Sequence, residues 1–180
     1  VRHDAYKNEL LFSPRSATAV VKTYFGQDQA WSGFQKKFPK NDPILKTAVS
    51  HCPGLRILRQ PLWECLATFL TSSLKQVAHI RKMSLALRQE LGTEQRLGEL
   101  VAHSYPSPGR VAAAGEDQLR ALGLGYRAKS IALAAERVSA QSDFLEAGHA
   151  LDDEALLDFL LEFHGVGRKI ANCVMLFAYQ

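Results

Sequence analysis

The chain lacks any apolar run close to the roughly 20 residues that a membrane-spanning helix needs. Its opening residues, Val1-Arg2-His3-Asp4, do not begin a signal peptide. A soluble, intracellular protein is expected. Its three cysteines, Cys52, Cys65 and Cys173, are too few and too far apart for a disulfide framework or a closely spaced metal quartet. Reduced thiols are expected instead, with Cys65 and Cys173 acting as small buried hydrophobes inside apolar helical runs. No internal repeat is present. The first residue is not Met, and the last segment stops inside Leu176-Phe177-Ala178-Tyr179-Gln180. A fragment that continues past Gln180 is therefore expected.

What is present is a chain of 180 residues, 47% of them hydrophobic. That is enough to bury one sizeable core, or one core plus a small appended lobe. Twenty-two Lys and Arg against 18 Asp and Glu give a formal net charge of +4. This balance favours a polyanionic partner without identifying it.

The apolar spacing is mainly helical. Residues 5–12 read as one short strand ending at Ser13-Pro14. Val20, Val21, Tyr24 and Phe25 mark a helix over 17–25 that Gly26 stops, and two more short helices are expected over 31–38 and 42–52. Pro61 suits the first turn of the next helix, whose apolar face is Leu62, Leu66, Phe69 and Leu70. After an outward-facing polar junction over 71–76, a helix carrying Val77, Ile80, Leu87 and Leu91 should end at Gly92. The stretch 98–107 gives no clear pattern, and Pro106 with Pro108 forbids a regular helix through it. Short helices then follow over 116–122, stopped by Gly123, and over 127–140, where Ile131, Leu133 and Val138 are available for packing. Asp152 or Asp153 can cap a helix containing Leu156, Leu157, Phe159, Leu160 and Phe163, and a last helix opens at Arg168 or Lys169.

Between those last two helices lies Gly165-Val166-Gly167-Arg168-Lys169. Two glycines let the backbone turn sharply and approach a ligand with no side chain in the way. Amides at the start of the second helix, with its positive dipole end, can seat a phosphate oxygen. Such contacts fix position on DNA without reading its sequence. Taken alone, the glycines serve equally as a plain tight connection between helices.

The neighbouring residues make the reading specific. Leu161-Glu162-Phe163-His164-Gly165-Val166-Gly167-Arg168-Lys169-Ile170-Ala171-Asn172-Cys173-Val174 resembles the hairpin of the helix-hairpin-helix DNA glycosylase superfamily, which includes endonuclease III and the 8-oxoguanine DNA glycosylases. Leu58-Arg59-Gln60-Pro61-Leu62-Trp63-Glu64-Cys65-Leu66, with Phe69 and Ser72-Ser73, resembles the first core helix of the 8-oxoguanine enzymes. Leu122-Gly123-Leu124-Gly125-Tyr126-Arg127-Ala128-Lys129 is a third match. His164 stands where the family usually has proline, a departure expected to loosen the turn.

The resemblance implies a mainly α fold. Residues 1–59 would form a partial N-terminal region carrying the strand remnant, and residues 60–180 a glycosylase core ending before the expected catalytic aspartate. It implies a bifunctional glycosylase and abasic-site lyase acting as a monomer on oxidised guanine in duplex DNA, with no metal and no cofactor required. Gly165, Val166, Gly167 and Arg168 would grip the backbone. Lys169 would be the nucleophile. A lysine in that role must be neutral for part of its time, which burial beside the positive end of a helix promotes; that setting is expected for Lys169.

Extruding a base leaves an orphaned partner, so a wedge and a polar reader are needed. The resemblance assigns these to Tyr126 and Arg127; the bland alternative is a buried tyrosine with a solvated arginine. The family also reads the orphaned cytosine with an asparagine and a second arginine, where this chain has Leu74 and His79. Leucine cannot hydrogen-bond to a base edge, so weaker discrimination for cytosine is expected. Two other readings stay open: an endonuclease III-like enzyme for oxidised pyrimidines, and a non-catalytic helix-hairpin-helix module.

Overall fold

Side-chain caps set where several helices begin. Asp42 and Asp152 accept hydrogen bonds from Leu45 N and Ala155 N, each at 2.9 Å, satisfying amides that a helix start would otherwise leave unpaired. A computed structural model of the protein describes residues 2–4, 9–11, 15–28, 33, 38–52, 54–72 and 76–179. The chain divides into two compact units, Val1–Arg59 and Gln60–Gln180.

In the first unit β1 (Arg2–Asp4) pairs antiparallel with β2 (Glu9–Leu11), Arg2 opposite Leu11. Of the single strand expected over 5–12, residues 9–11 form one arm of a two-stranded ribbon, and the others lie outside the described residues. A short turn of 3₁₀ helix, Arg15–Ala17, leads into α1 (Thr18–Tyr24), and α2 spans Pro43–His51. Gly26 stops α1 with a left-handed backbone, φ +62°, letting Gly26 N and Gln27 N donate to the last carbonyls, Thr23 O and Lys22 O. Arg59 returns to this helix end through Arg59 N→Tyr24 O, 2.9 Å, and an ion pair with Asp28 at 2.7 Å. Of the helix expected over 31–38, only Gly33 and Phe38 fall within the described residues.

The second unit is built around α3 (Leu62–Ser72). Pro61 precedes it, as expected, and its carbonyl accepts from Cys65 N at 2.9 Å. Around α3 pack α4 (Val77–Leu91), α6 (Arg127–Ser139) and α8 (Arg168–Ala178). Leu66 and Leu70 on α3, Leu87 on α4, Ile131 on α6 and Val174 on α8 are all buried in one core. Leu62 and Phe69 complete the α3 face, half-buried, with the Phe69 and Phe177 rings 5.7 Å apart. Glu64 pairs with Arg88, whose guanidinium lies 5.1 Å from the Tyr105 ring centroid.

Four sequence expectations change here. The stretch after Gly92 is a β-hairpin, β3 (Glu94–Leu97) with β4 (Leu100–His103), Glu94 opposite His103. No helix runs through 98–107, as the two prolines require, but the helix expected over 116–122 begins eight residues earlier, at Pro108. α5 (Pro108–Leu119) has proline in its first turn, where no donor is missed, and Ser107 accepts from Arg110 N. Gly115, φ +68°, bends α5, and a wider turn over Arg120–Leu124 follows it. Thr71, expected to face outward, is buried and donates its hydroxyl to Thr68 O at 2.6 Å. Leu133 is exposed, because only the opposite face of α6 meets α3 and α5.

α7 (Asp153–Leu161) brings Leu156 and Leu160 into the core, and Phe144, Phe159 and Phe163 stack at its end. No described helix is long and apolar enough to cross a membrane.

Leu66 is fully buried at the meeting point of these helices. Leu66→Ala is expected to lower stability by about 3 kcal/mol, read from the urea unfolding midpoint; a change under about 1 kcal/mol would show that the core is centred elsewhere.

Candidate active site

The two elements singled out by the sequence are a turn between α7 and α8 and the turn that opens α6. The first begins where α7 ends. Val166 N donates to Phe163 O at 3.0 Å, reversing the chain over His164-Gly165. Gly165 has φ +84°, in the left-handed region where a side chain is strained. A Cβ built there would lie 2.4 Å from Ser130 Oγ, 3.0 Å from Ser130 Cβ and 3.6 Å from Leu70 Cδ2. The turn therefore sits directly against α6 and α3.

Gly167 differs. Its φ is −99°, and a Cβ there would meet nothing within 4 Å. It needs no left-handed backbone; it leaves open the space in front of the first amides of α8. Those amides belong to Arg168, Lys169 and Ile170, which precede the first intrahelical bond, Ala171 N→Gly167 O, 3.0 Å. Open access plus unpaired donors at a positive helix end is the arrangement that accepts a phosphate oxygen. Val166 between the glycines is buried and anchors the turn.

Lys169 is the second residue of α8 and is exposed, as are Arg168 and Asn172. The expectation of a buried amine is overturned. The helical period sends Ile170, Ala171 and Val174 into the core and turns 168, 169 and 172 outward. A cleft of about 510 Å³ lined by Thr68, Ile80, Arg81, Lys82, Ser84, Leu85 and Arg88 lies elsewhere, and Lys169 takes no part in it.

His164, in the place of the family's proline, is tied to α6. Its Nδ1 shares a hydrogen bond with Ser130 Oγ, 3.0 Å away. Arg137 holds the other side: it donates to Glu162 O at 3.3 Å, pairs with the Glu162 carboxylate, and lies 5.0 Å from the ring centroids of both Phe144 and Phe163. Sequence reasoning missed both residues. Ser130 carried a signal, being a polar residue on the apolar face formed by Ala128, Ile131, Ala134, Ala135 and Val138. A polar group so placed needs a partner.

The second element turns through Gly123 and Gly125, φ +89° and +58°, around the buried Leu124. Tyr126 follows, 58% exposed, and Arg127 is only 3% exposed. This reverses the bland alternative of a buried tyrosine and a solvated arginine. The Arg127 guanidinium lies 4.3 Å from the Tyr126 ring centroid and donates to Tyr126 Oη at 2.8 Å. A desolvated cation against a ring is a contact of about 2 kcal/mol, so the exposed tyrosine is held from behind. Ser130 is one turn further along the same helix, so the structure joins the Tyr126 turn to the hairpin through α6.

His79 lies in the first turn of α4, exposed. Leu74 is outside the described residues. Cys65 is fully buried, and burial, with Cys173 and Glu64 nearby, pushes its thiol up to about 12; that thiol stays protonated and unreactive at neutral pH. Among the described residues no three His, Cys, Asp or Glu side chains converge as metal ligands.

The chain is similar to known DNA glycosylases. Residues 4–66 match the family model for the 8-oxoguanine DNA glycosylase N-terminal domain. The chain is 31% identical to the N-glycosylase/DNA lyase OGG1 of Arabidopsis thaliana, over 92% of this chain and 47% of the relative. It is 32% identical to an N-glycosylase/DNA lyase of Saccharomyces cerevisiae, over 96% of this chain and 46% of the relative. The chain thus spans about half the length of the curated relatives it matches. Among solved structures, the apo form of a Clostridium acetobutylicum 8-oxoguanine glycosylase/lyase superposes with a TM-score of 0.85 at 27% identity, covering 94% of this chain and 59% of that one.

The two glycines should respond differently to substitution. Gly165→Ala is expected to cost about 2 kcal/mol or more through its left-handed backbone and the Ser130 contact, and Gly167→Ala under about 0.5 kcal/mol. Thermal unfolding of the two variants side by side checks this; equal losses would contradict the stated geometry.

Proposed function

We propose that the chain is a helix-hairpin-helix DNA glycosylase of the 8-oxoguanine branch, which excises oxidised guanine from duplex DNA and then cleaves the abasic site as a lyase. The observation that carries this reading is the hairpin whose open Gly167 leads straight into Lys169, joined through Ser130 to an exposed, arginine-backed tyrosine. The neighbours support it: one solved complex of the Clostridium acetobutylicum enzyme contains double-stranded DNA with cytosine opposite 8-oxoguanine.

In this mechanism the first amides of α8 and Arg168 hold a phosphate beside the lesion. Tyr126 enters the stack as the damaged nucleotide swings out, and Arg127 is released from its tyrosine to reach the orphaned base. The neutral Lys169 amine attacks C1′, and the bond from C1′ to the base nitrogen breaks with its electron pair leaving on the base. Loss of a proton from nitrogen and opening of the C1′–O4′ bond give a Schiff base. Removal of a C2′ proton then expels the 3′ phosphate by β-elimination. Because Lys169 is exposed in the free protein, the bound duplex itself supplies the water-excluding wall around the amine. No metal or cofactor is part of this scheme, the protein acts as a monomer, and it works inside the cell where duplex DNA is kept.

That same exposure favours one second reading, a non-catalytic DNA-binding module. Borohydride separates the two. Wild-type protein with an 8-oxoguanine duplex should give a covalent adduct that Lys169→Gln does not form; binding without any adduct would leave the module.

Leu74 and His79 stand where the family reads cytosine with an asparagine and an arginine. A good base-edge pair contributes about 1–3 kcal/mol of discrimination. Cleavage rates on four duplexes differing only in the base opposite the lesion should show a cytosine preference about tenfold smaller than that of a relative with both readers. A preference as strong as that relative's would overturn the assignment.

A further inference from the structure

We propose that Ser130 is a positioning residue, which through His164 sets the register between the hairpin that carries Lys169 and the turn that carries Tyr126. The inference rests on the functional reading above and extends it to a residue that touches neither DNA nor the reacting atoms.

Three observations converge on this side chain. Ser130 is 8% exposed, on the inward face of α6. Its hydroxyl lies 3.0 Å from Nδ1 of His164, the first central residue of the turn. The missing Cβ of Gly165 would stand 2.4 Å from the same oxygen. One small hydroxyl is thus in contact with two consecutive hairpin residues, and three positions earlier the same helix holds Arg127 against the Tyr126 ring.

The consequence is geometric. Base extrusion and attack at C1′ must happen on the same nucleotide, so the wedge and the amine have to keep a fixed separation. Along α6 that separation is held by the helix backbone; between α6 and α8 it is held by the contact of Ser130 with His164 and Gly165. Buried Val166 limits how far the turn can sink, and Arg137 holds its α7 side at Glu162. Ser130 and His164 restrict sliding along the interface, which apolar packing alone does not resist. A misplacement of about 1 Å between reacting groups can cost about 100-fold in rate, so loss of a single locating hydrogen bond should be visible in chemistry before it is visible in affinity.

The test uses the intact protein and an 8-oxoguanine duplex. Single-turnover adduct formation under borohydride is measured beside duplex affinity and thermal stability for Ser130→Ala, His164→Ala, the double variant and His164→Asn. Asparagine places an amide near the position of the histidine Nδ1. Ser130→Ala and His164→Ala should each slow adduct formation roughly tenfold while duplex affinity stays within about twofold. The double variant should be no slower than either single one, because both remove the same bond, and His164→Asn should recover most of the rate.

Unchanged rates in both alanine variants would overturn the proposal, as would slowing that follows lost stability and is not recovered by asparagine. A second readout keeps the two claims apart. Amide hydrogen exchange in Ser130→Ala should rise together at 165–169 and at 125–128, and a rise confined to one of them would refute the coupling. Should the wild type form no adduct, the glycosylase reading fails on its own, and the exchange result still decides the role of Ser130.

Discussion

Residue 165 has no side chain, and the rest of the site depends on that. Its backbone is in the left-handed region, and the space where a Cβ would stand belongs to the Ser130 hydroxyl. With that contact the chain reverses between α7 and α8 close against α6. Phe163 and Val166 then seat in the core, and α8 starts with its first amides in front of an open face. Any side chain at this position would have to push the hairpin off α6, carrying Lys169 away from the turn that holds Tyr126.

The site is made of opposites placed side by side. Apolar residues of α8 drive inward and, by the same helical period, push Arg168 and Lys169 outward. On α6 the polar Arg127 goes inward and the aromatic Tyr126 outward, an inversion stabilised by the ring and guanidinium contact and the hydrogen bond to Tyr126 Oη. The result is a surface that presents cations, unpaired amides and an aromatic edge, the groups that duplex DNA with a displaced base can use.

The helices were legible because their signals were local. Pro61, the Val77-to-Gly92 period and the Asp152 cap each acted within one or two turns, and the helices begin and end close to where these residues put them. The hairpin over 94–103 was not legible. Its strands are four residues each, with little alternation, and their pairing is a contact between segments. The helix over 108–119 was expected to start only at 116, because a proline that ends one pattern also suits a helix start when a residue such as Ser107 caps it. In the site, the double glycine and the lysine were visible as a motif, whereas the outward direction of Lys169, the inversion of Tyr126 and Arg127, and the Ser130 to His164 bond all depend on which face meets which. His164 looked like a weak substitute for proline because its partner lies 34 residues earlier in the chain.

In the proposed chemistry the Lys169 amine, exposed in the free protein, becomes the group that joins DNA. Peptide mapping by mass spectrometry of the borohydride-reduced adduct tests it most directly. A deoxyribose-derived mass is expected on Lys169 alone, in the peptide that follows the hairpin. The same mass on Lys129, on another lysine or on the N-terminal amine would contradict it.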